Sequence, residues 1–305
     1  MSERIRRRRH SVEIARLRLI PIVVLTVVAV ACSNDVTPST TTIPESTTTA
    51  AASTTTTEPA VDSGPVRDYW PTDGWRISTP EERGMDSDTL ANMIERMISE
   101  DYEIDSVTVV RNGYIVLDAT FYPFPPDTGH IIHSCTKSVV GSLVGVAIDR
   151  GLLEGLDQPV VEILPDSAPS SPDALKASMT LEDVLTMTTG LQCRDSYLYR
   201  WEGLREMRAS DDWAAYVLDL PMSEEPGTRF EYCNGASHLL SAIITEVTGM
   251  SALEFASEEL FTPLGITDVS WPANADGVNH GWGEMVLRPH DMAKFGYLYL
   301  NGDSW

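Results

Sequence analysis

From residue 87 onward the apolar positions fall into two periods. Leu90, Met93, Ile94, Met97 and Ile98 recur at helical spacing behind Asp86 and Ser87, either of which can cap a helix start. Val107 and Val109, then Ile115 and Leu117, alternate with period two around Arg111-Asn112-Gly113. Asn-Gly is a strong two-residue turn, so this stretch predicts a β-hairpin. A two-stranded ribbon is marginal alone and needs more sheet, which nothing nearby in sequence supplies. Val139 to Ile148 is an almost unbroken apolar run with the texture of a buried helix, stopped by Gly151. Leu152 to Ser171 reads as irregular, proline-punctuated chain.

Thr180-Leu181-Glu182-Asp183 opens a further helix with a capping box, and Gly190 is the expected stop. Another helix is expected from Ser210 through Trp213 and Val217. Leu239, Leu240, Ile243, Ile244 and Val247 form one face of a helix from Gly235 that Gly249 ends, and a last helix from Pro289 carries Met292, Phe295 and Leu298. The middle of the chain is therefore mostly helical, strands are few, and order begins near Trp70.

The segment before residue 66 follows neither pattern. Arg4, Arg6, Arg7, Arg8, Arg9, Arg16 and Arg18 precede an apolar stretch from Leu19 to Ala31. A basic head before a short apolar core predicts an export signal, too short to span a membrane comfortably. From Ser33 to about Pro65 the chain is mostly Ser, Thr, Pro and Ala, which cannot bury enough apolar surface to offset ordering; a disordered spacer is expected over 33–65. The 305 residues carry a net charge of -23, which excludes nucleic acid as the natural partner.

Candidate chemistry centres on Ser134-Cys135-Thr136-Lys137, at the head of the apolar run. Unpaired N–H groups and the positive end of the helix dipole favour developing negative charge at Ser134. Lys137 projects from the same face one turn later, and a lysine whose pKa is lowered by burial can activate a serine. Ser-x-x-Lys alone is weak, and an N-cap serine beside a snorkelling lysine is the plain alternative. Against it stands rarity: Lys137, Lys176 and Lys294 are the lysines of this chain, against nineteen arginines. Upstream of the helix at Gly235, Tyr232 and Asn234 follow a Pro226-Gly227 turn. A tyrosine hydroxyl near a lysine can relay protons, and an asparagine can orient it. Tyr299-Leu300-Asn301 repeats the same Tyr-x-Asn pattern on the last helix, so context alone favours Tyr232.

These motifs, together with Met187-Thr188-Thr189-Gly190-Leu191, Leu260-Phe261-Thr262-Pro263-Leu264-Gly265-Ile266 and Asp291-Met292-Ala293-Lys294-Phe295-Gly296, resemble the β-lactamase-related serine hydrolases. The similar branch holds class C β-lactamases, family VIII esterases, D-alanyl-D-alanine carboxypeptidases and 6-aminohexanoate-dimer hydrolases. The likeness runs from about Trp70 to Trp305 and implies an α/β (α+β) fold of the β-lactamase/transpeptidase type, an antiparallel sheet flanked by helices with an all-helical subdomain. It implies an acyl-enzyme on Ser134, with Lys137 and Tyr232 sharing its proton, Asn234 supporting lysine and substrate, and the Ser134 N–H as half of an oxyanion hole. The substrate expected is a small ester or amide, or a peptidoglycan-type peptide, with no metal and no cofactor. A penicillin-binding sensor without turnover and an inactive remnant are the rival readings. The third motif of that branch, a Lys-Thr-Gly or His-x-Gly-like triplet, does not follow Asn234, so the 66–305 domain reads as C-terminally truncated, lacking late sheet strands.

Ala29-Val30-Ala31-Cys32 resembles a lipobox, which implies lipidation of Cys32 and anchorage at the outer face of the cell membrane, plain secretion being the alternative. Of the remaining cysteines, Cys193 and Cys233 are a candidate disulfide in an exported protein, and Cys135 reads as a small buried hydrophobe. His130 and His133, three apart, have the spacing of metal ligands but no companions, and read as structural. Tyr197, Tyr199 and Trp201 are candidate cleft residues. No Gly-x-Ser-x-Gly is present, which disfavours an α/β-hydrolase triad.

Overall fold

The computed structural model describes residues 69–302. The expected export signal with Cys32 and the spacer over 33–65 lie outside the described residues. In chain order the elements are β1 (Arg76–Ile77), α1 (Ser87–Ser99), β2 (Ser106–Arg111), β3 (Tyr114–Thr120), β4 (His130–Ile131), α2 (Thr136–Asp149), α3 (Val160–Ile163), α4 (Ala174–Ser178), α5 (Leu181–Leu185), α6 (Glu202–Ala209), α7 (Trp213–Asp219), α8 (Asn234–Thr248), α9 (Ala252–Ala256), β5 (Val286–Leu287) and α10 (Pro289–Leu300).

The hairpin forms where expected. Asn112 and Gly113 both take positive φ, +53° and +84°, the backbone a tight hairpin turn requires. Its sheet is mixed rather than antiparallel, in the order β1-β3-β2, because β1 pairs parallel to β3 through Arg76↔Tyr114 and Ile77↔Ile115. The α1 segment between β1 and the hairpin supplies the long crossover that a parallel pairing needs. The hairpin therefore has a third strand, correcting the expectation that it lacks a partner.

The core is built on α2 and α8. Val139, Val140, Leu143, Val144 and Ala147 of α2 are buried, and α8 is buried without a break from Asn234 to Ile244. A helix apolar on all sides belongs inside, and α8 packs against α2, α5, α7 and α9. Each fully buried Leu or Ile contributes about 1.5–3 kcal/mol, so this helix pair dominates the hydrophobic term. Gly249 at φ +69° ends α8.

Three expected segments differ from the sequence reading. A single turn, α3, interrupts the stretch expected to be irregular. The capping box of Thr180 and Asp183 is present, yet α5 stops at Leu185 instead of Gly190. Met187 turns to φ +57°, and the chain after it bonds sideways: Gly227 N–H donates to Thr188 O at 2.8 Å and Glu231 N–H to Met187 O at 2.9 Å. Those cross-chain bonds outcompete a further turn of helix and bring residues 227–231 alongside. Asp212, rather than Ser210, caps α7. Further unexpected helices are α4, α6, which turns Gly203 and Met207 inward, and α9, whose Ser251–Glu254 capping box was legible in the sequence.

Candidate active site

The chain enters α2 through a tight turn, His133–Cys135, with His133 held at φ +45°. Ser134 sits in this turn rather than in the α-helix itself. Cys135, one residue on, is exposed and not buried as expected. With three residues per turn, adjacent side chains diverge widely, so the turn that aims Ser134 at one side sends Cys135 to another. The pairing of β4 with β5 and the bond from Ile132 N–H to Met285 O at 2.9 Å fasten this turn to the segment around Trp282.

Ser134, Lys137, Tyr232 and Asn234 converge. The Ser134 Oγ and Tyr232 hydroxyl lie 2.7 Å apart. Lys137 Nζ reaches Ser134 Oγ at 3.2 Å, Asn234 Oδ1 at 2.9 Å and the Trp282 carbonyl at 2.6 Å. It also lies 4.9 Å from the centre of the Tyr232 ring. Three acceptors match the three N–H bonds of an ammonium. For a neutral amine, the two fixed acceptors Asn234 Oδ1 and Trp282 O would take its two N–H bonds and leave the lone pair for Ser134. Burial lowers the Lys137 pKa to about 8, a shift opposed by the negative charge of Asp195.

This shift has a consequence for stability. The folded-state lysine holds its proton less tightly than the unfolded one, whose ordinary value is 10.5. Between the two values the unfolded chain binds more protons, so stability rises with pH. Relative to Lys137→Met, the wild type should gain about 2 kcal/mol between roughly pH 7 and 9.5. Urea melts of both proteins at the two pH values measure this; a constant difference would mean the amine is not desolvated.

Sequence reading missed several residues. Asp195 is buried, with both carboxylate oxygens accepting backbone N–H bonds. Trp282 approaches Lys137 through its carbonyl, which carries no side-chain signal. The signal that did exist is Gly281: a Cβ there would lie 2.0 Å from the Ser237 carbonyl, so glycine lets this strand of chain lie against α8. The cleft over Ser134 has a volume of about 270 Å³ and is walled by His133, Trp201, Tyr232, Trp282 and Glu284. Three of these, His133, Trp201 and Glu284, hold positive φ, and such strain in non-glycine residues concentrates at functional sites.

The other candidates sort themselves. Trp201 packs edge-on to Tyr232 at 6.2 Å and Tyr197 packs on Trp201, whereas Tyr199 is not among the cleft walls. The second Tyr-x-Asn goes elsewhere, with the Tyr299 hydroxyl 2.7 Å from Ser142 Oγ. Cys193 and Cys233 are disulfide-bonded. His130 pairs with Asp105 at 3.1 Å, and among the described residues no group of three or more His, Cys, Asp or Glu could hold a metal.

A serine, lysine and tyrosine meeting over a cleft at the head of a buried helix can be compared with known proteins. The family model described as Beta-lactamase matches residues 90–304. The chain belongs to the β-lactamase family. It is 27% identical over 238 residues to the 6-aminohexanoate-dimer hydrolase of Paenarthrobacter ureafaciens, covering 74% of this chain and 59% of that relative. The β-lactamase-family chain thus spans a little over half the length of that protein. Its fold is shared with the octameric penicillin-binding protein homologue from Pyrococcus abyssi, at 22% identity and TM-score 0.56 over 72% of this chain and 57% of the other. It is shared equally with EstCE1, a hydrolase with promiscuous acyltransferase activity, at 17% identity and TM-score 0.60 over 74% and 73%. The α/β class and the β-lactamase/transpeptidase type follow from this family membership.

Proposed function

We propose that this β-lactamase-family protein is a serine hydrolase that forms an acyl-enzyme on Ser134 and hydrolyses a small ester or amide. The observation that carries this reading is the contact of one half-buried, pKa-lowered amine with the Ser134 hydroxyl and a tyrosine 2.7 Å away from that hydroxyl. Ser134 Oγ attacks the carbonyl carbon while its proton passes to the neutral amine of Lys137, directly or by way of the Tyr232 hydroxyl, which gives up its own proton as it takes one. The tetrahedral oxygen develops negative charge beside the Ser134 N–H, at the head of α2. Collapse expels the alcohol or amine, which takes a proton from Tyr232 as Tyr232 takes one back from Lys137. Water then gives a proton to the freed Lys137 amine and attacks the acyl carbon, and the departing serine oxygen is reprotonated from Lys137. An amide-cleaving relative, the 6-aminohexanoate-dimer hydrolase, supports amide as well as ester substrates, and a penicillin-binding protein homologue of the same fold keeps peptidoglycan-type peptides in view.

The test pairs a p-nitrophenyl ester with a fluorescent penicillin. Steady p-nitrophenol release with a transient adduct on Ser134 is expected. Stoichiometric labelling without turnover would favour a sensor, and neither signal would favour a remnant. Export with lipidation of Cys32 belongs to the same proposal; it is supported by the disulfide, which persists in oxidising compartments. Metabolic labelling with a fatty acid, lost in Cys32→Ala, is the expected result, and an unlabelled wild type removes the anchor.

A further inference from the structure

Between the disulfide and the nucleophile lies a carboxylate with no role in the scheme above. Asp195 is 4% exposed. Its Oδ2 accepts the Asn234 N–H and its Oδ1 accepts the Leu204 N–H, both at 2.8 Å. It therefore sits where the first turns of α6 and α8 meet, and two helix N-termini favour a negative charge there. The same Asn234 presents Oδ1 to Lys137 at 2.9 Å. The bond from its N–H to Asp195 therefore fixes the point from which the Asn234 side chain reaches the lysine. An ammonium only donates, so the Asn234 amide turns its oxygen toward the lysine. With the amide reversed, NH2 would face the Lys137 amine and donor would meet donor.

We infer that Asp195 is a positioning residue which fixes Asn234 at the start of α8 and thereby holds Lys137 on Ser134. This rests on the hydrolase reading above and deepens it, since the carboxylate touches neither substrate nor nucleophile. Burial raises the Asp195 pKa, opposed by the two N–H bonds and by Lys137; Asp195 in turn favours the charged lysine. The groups around Lys137 are Ser134 on its own helix, Tyr232 before α8, Asp195, and the Trp282 carbonyl. Behind Trp282 stand His238 and His280, and Glu284 and His133 lie on the cleft wall. Asp195 is the carboxylate of this set that bonds Asn234.

The experiment measures Ser134 acylation by p-nitrophenyl acetate against pH in the whole chain and in Asp195→Asn. In the wild type the acid limb should fall near 8, the Lys137 value. In Asp195→Asn the limb should move down by roughly half a pH unit or more, because a favourable negative charge is gone. Its plateau should also drop by roughly tenfold or more, because Asn234 is held less firmly against Lys137. A folded Asp195→Asn with an unmoved limb and a plateau within about twofold of wild type overturns the inference. Should Asp195→Asn fail to fold, Asp195→Glu decides: an unmoved limb with a lowered plateau supports the inference, and an unchanged plateau overturns it. A second readout needs no activity. Melting temperatures of Asp195→Asn, Lys137→Met and the double variant should be non-additive through the shared Asn234, and additive changes overturn the coupling. An unacylated wild type with non-additive melts would remove the hydrolase reading while leaving the Asp195–Asn234–Lys137 link in place.

Discussion

Lys137→Met is expected to slow acylation of Ser134 by about a hundred- to ten-thousand-fold, the range in which loss of a well-placed general base falls. Ser134→Ala should go further and leave no covalent adduct at all, read by intact mass after exposure to ester or penicillin. The informative comparison is Lys137→Arg. A guanidinium keeps the positive charge but does not give up its proton at accessible pH. If Lys137 works as a base, arginine should fail nearly as badly as methionine. If arginine retained most of the rate, the residue would be acting only as a cation beside Ser134, and the proton would have to leave through Tyr232. Tyr232→Phe then separates the two halves of the cycle. A p-nitrophenolate leaving group needs little protonation and an amine needs it fully, so amide cleavage should suffer more than ester cleavage. Equal losses on both would indicate a role for Tyr232 before the leaving group departs.

The second large effect concerns the disulfide. Cys193 and Cys233 are 40 residues apart in sequence. On the chain-entropy account, closing a loop of that length stabilises the fold by roughly 4 kcal/mol. Cys193→Ser, or reduction of the wild type, should lower the urea unfolding free energy by about that amount, with the midpoint moving and the slope little changed. The consequence for chemistry is local, because the bond lies two residues from Asp195 and directly before Asn234. Close packing reinforces it: a Cβ on Gly203 would stand 1.8 Å from the Cys193 carbonyl. Reduction should therefore lower the acylation plateau under conditions where the chain is still folded. An unchanged midpoint with and without reductant would show that the loop is held by packing alone.

Much of this protein could be read from its residues. The hairpin followed from Asn112-Gly113, which place positive φ where the strands must reverse, and α1, α2, α8 and α10 followed from apolar periodicity and their caps. Such features are local: the residues that specify them are the residues that adopt them. The same holds for Ser134 and Lys137, which come to one side because the His133–Cys135 turn runs straight into α2 and three residues make about one turn. Rarity of lysine was a poorer guide, since Lys176 and Lys294 are buried more deeply than Lys137, and Lys294 is met by the Gly265 carbonyl at 2.8 Å and by Asp291. What distinguishes Lys137 is the hydroxyl it faces, and that is a matter of its neighbours.

The remainder depended on contacts between distant segments. No periodicity marks β1, two residues long, as a parallel partner of β3; it forms because the chain returns to that edge. The early end of α5 depends on residues 227–231 arriving to take its backbone bonds. The Trp282 carbonyl is a main-chain atom and has no letter of its own in the sequence. Asp195 looked like one acidic residue among forty-five Asp and Glu until two helix starts and one asparagine closed around it. The sequence by itself determined which side chains could do acyl chemistry, because residue type and helical spacing are local properties. Only the tertiary structure decided how the lysine is charged and aimed, because burial, opposing charge and amide direction are set by groups dozens of residues away.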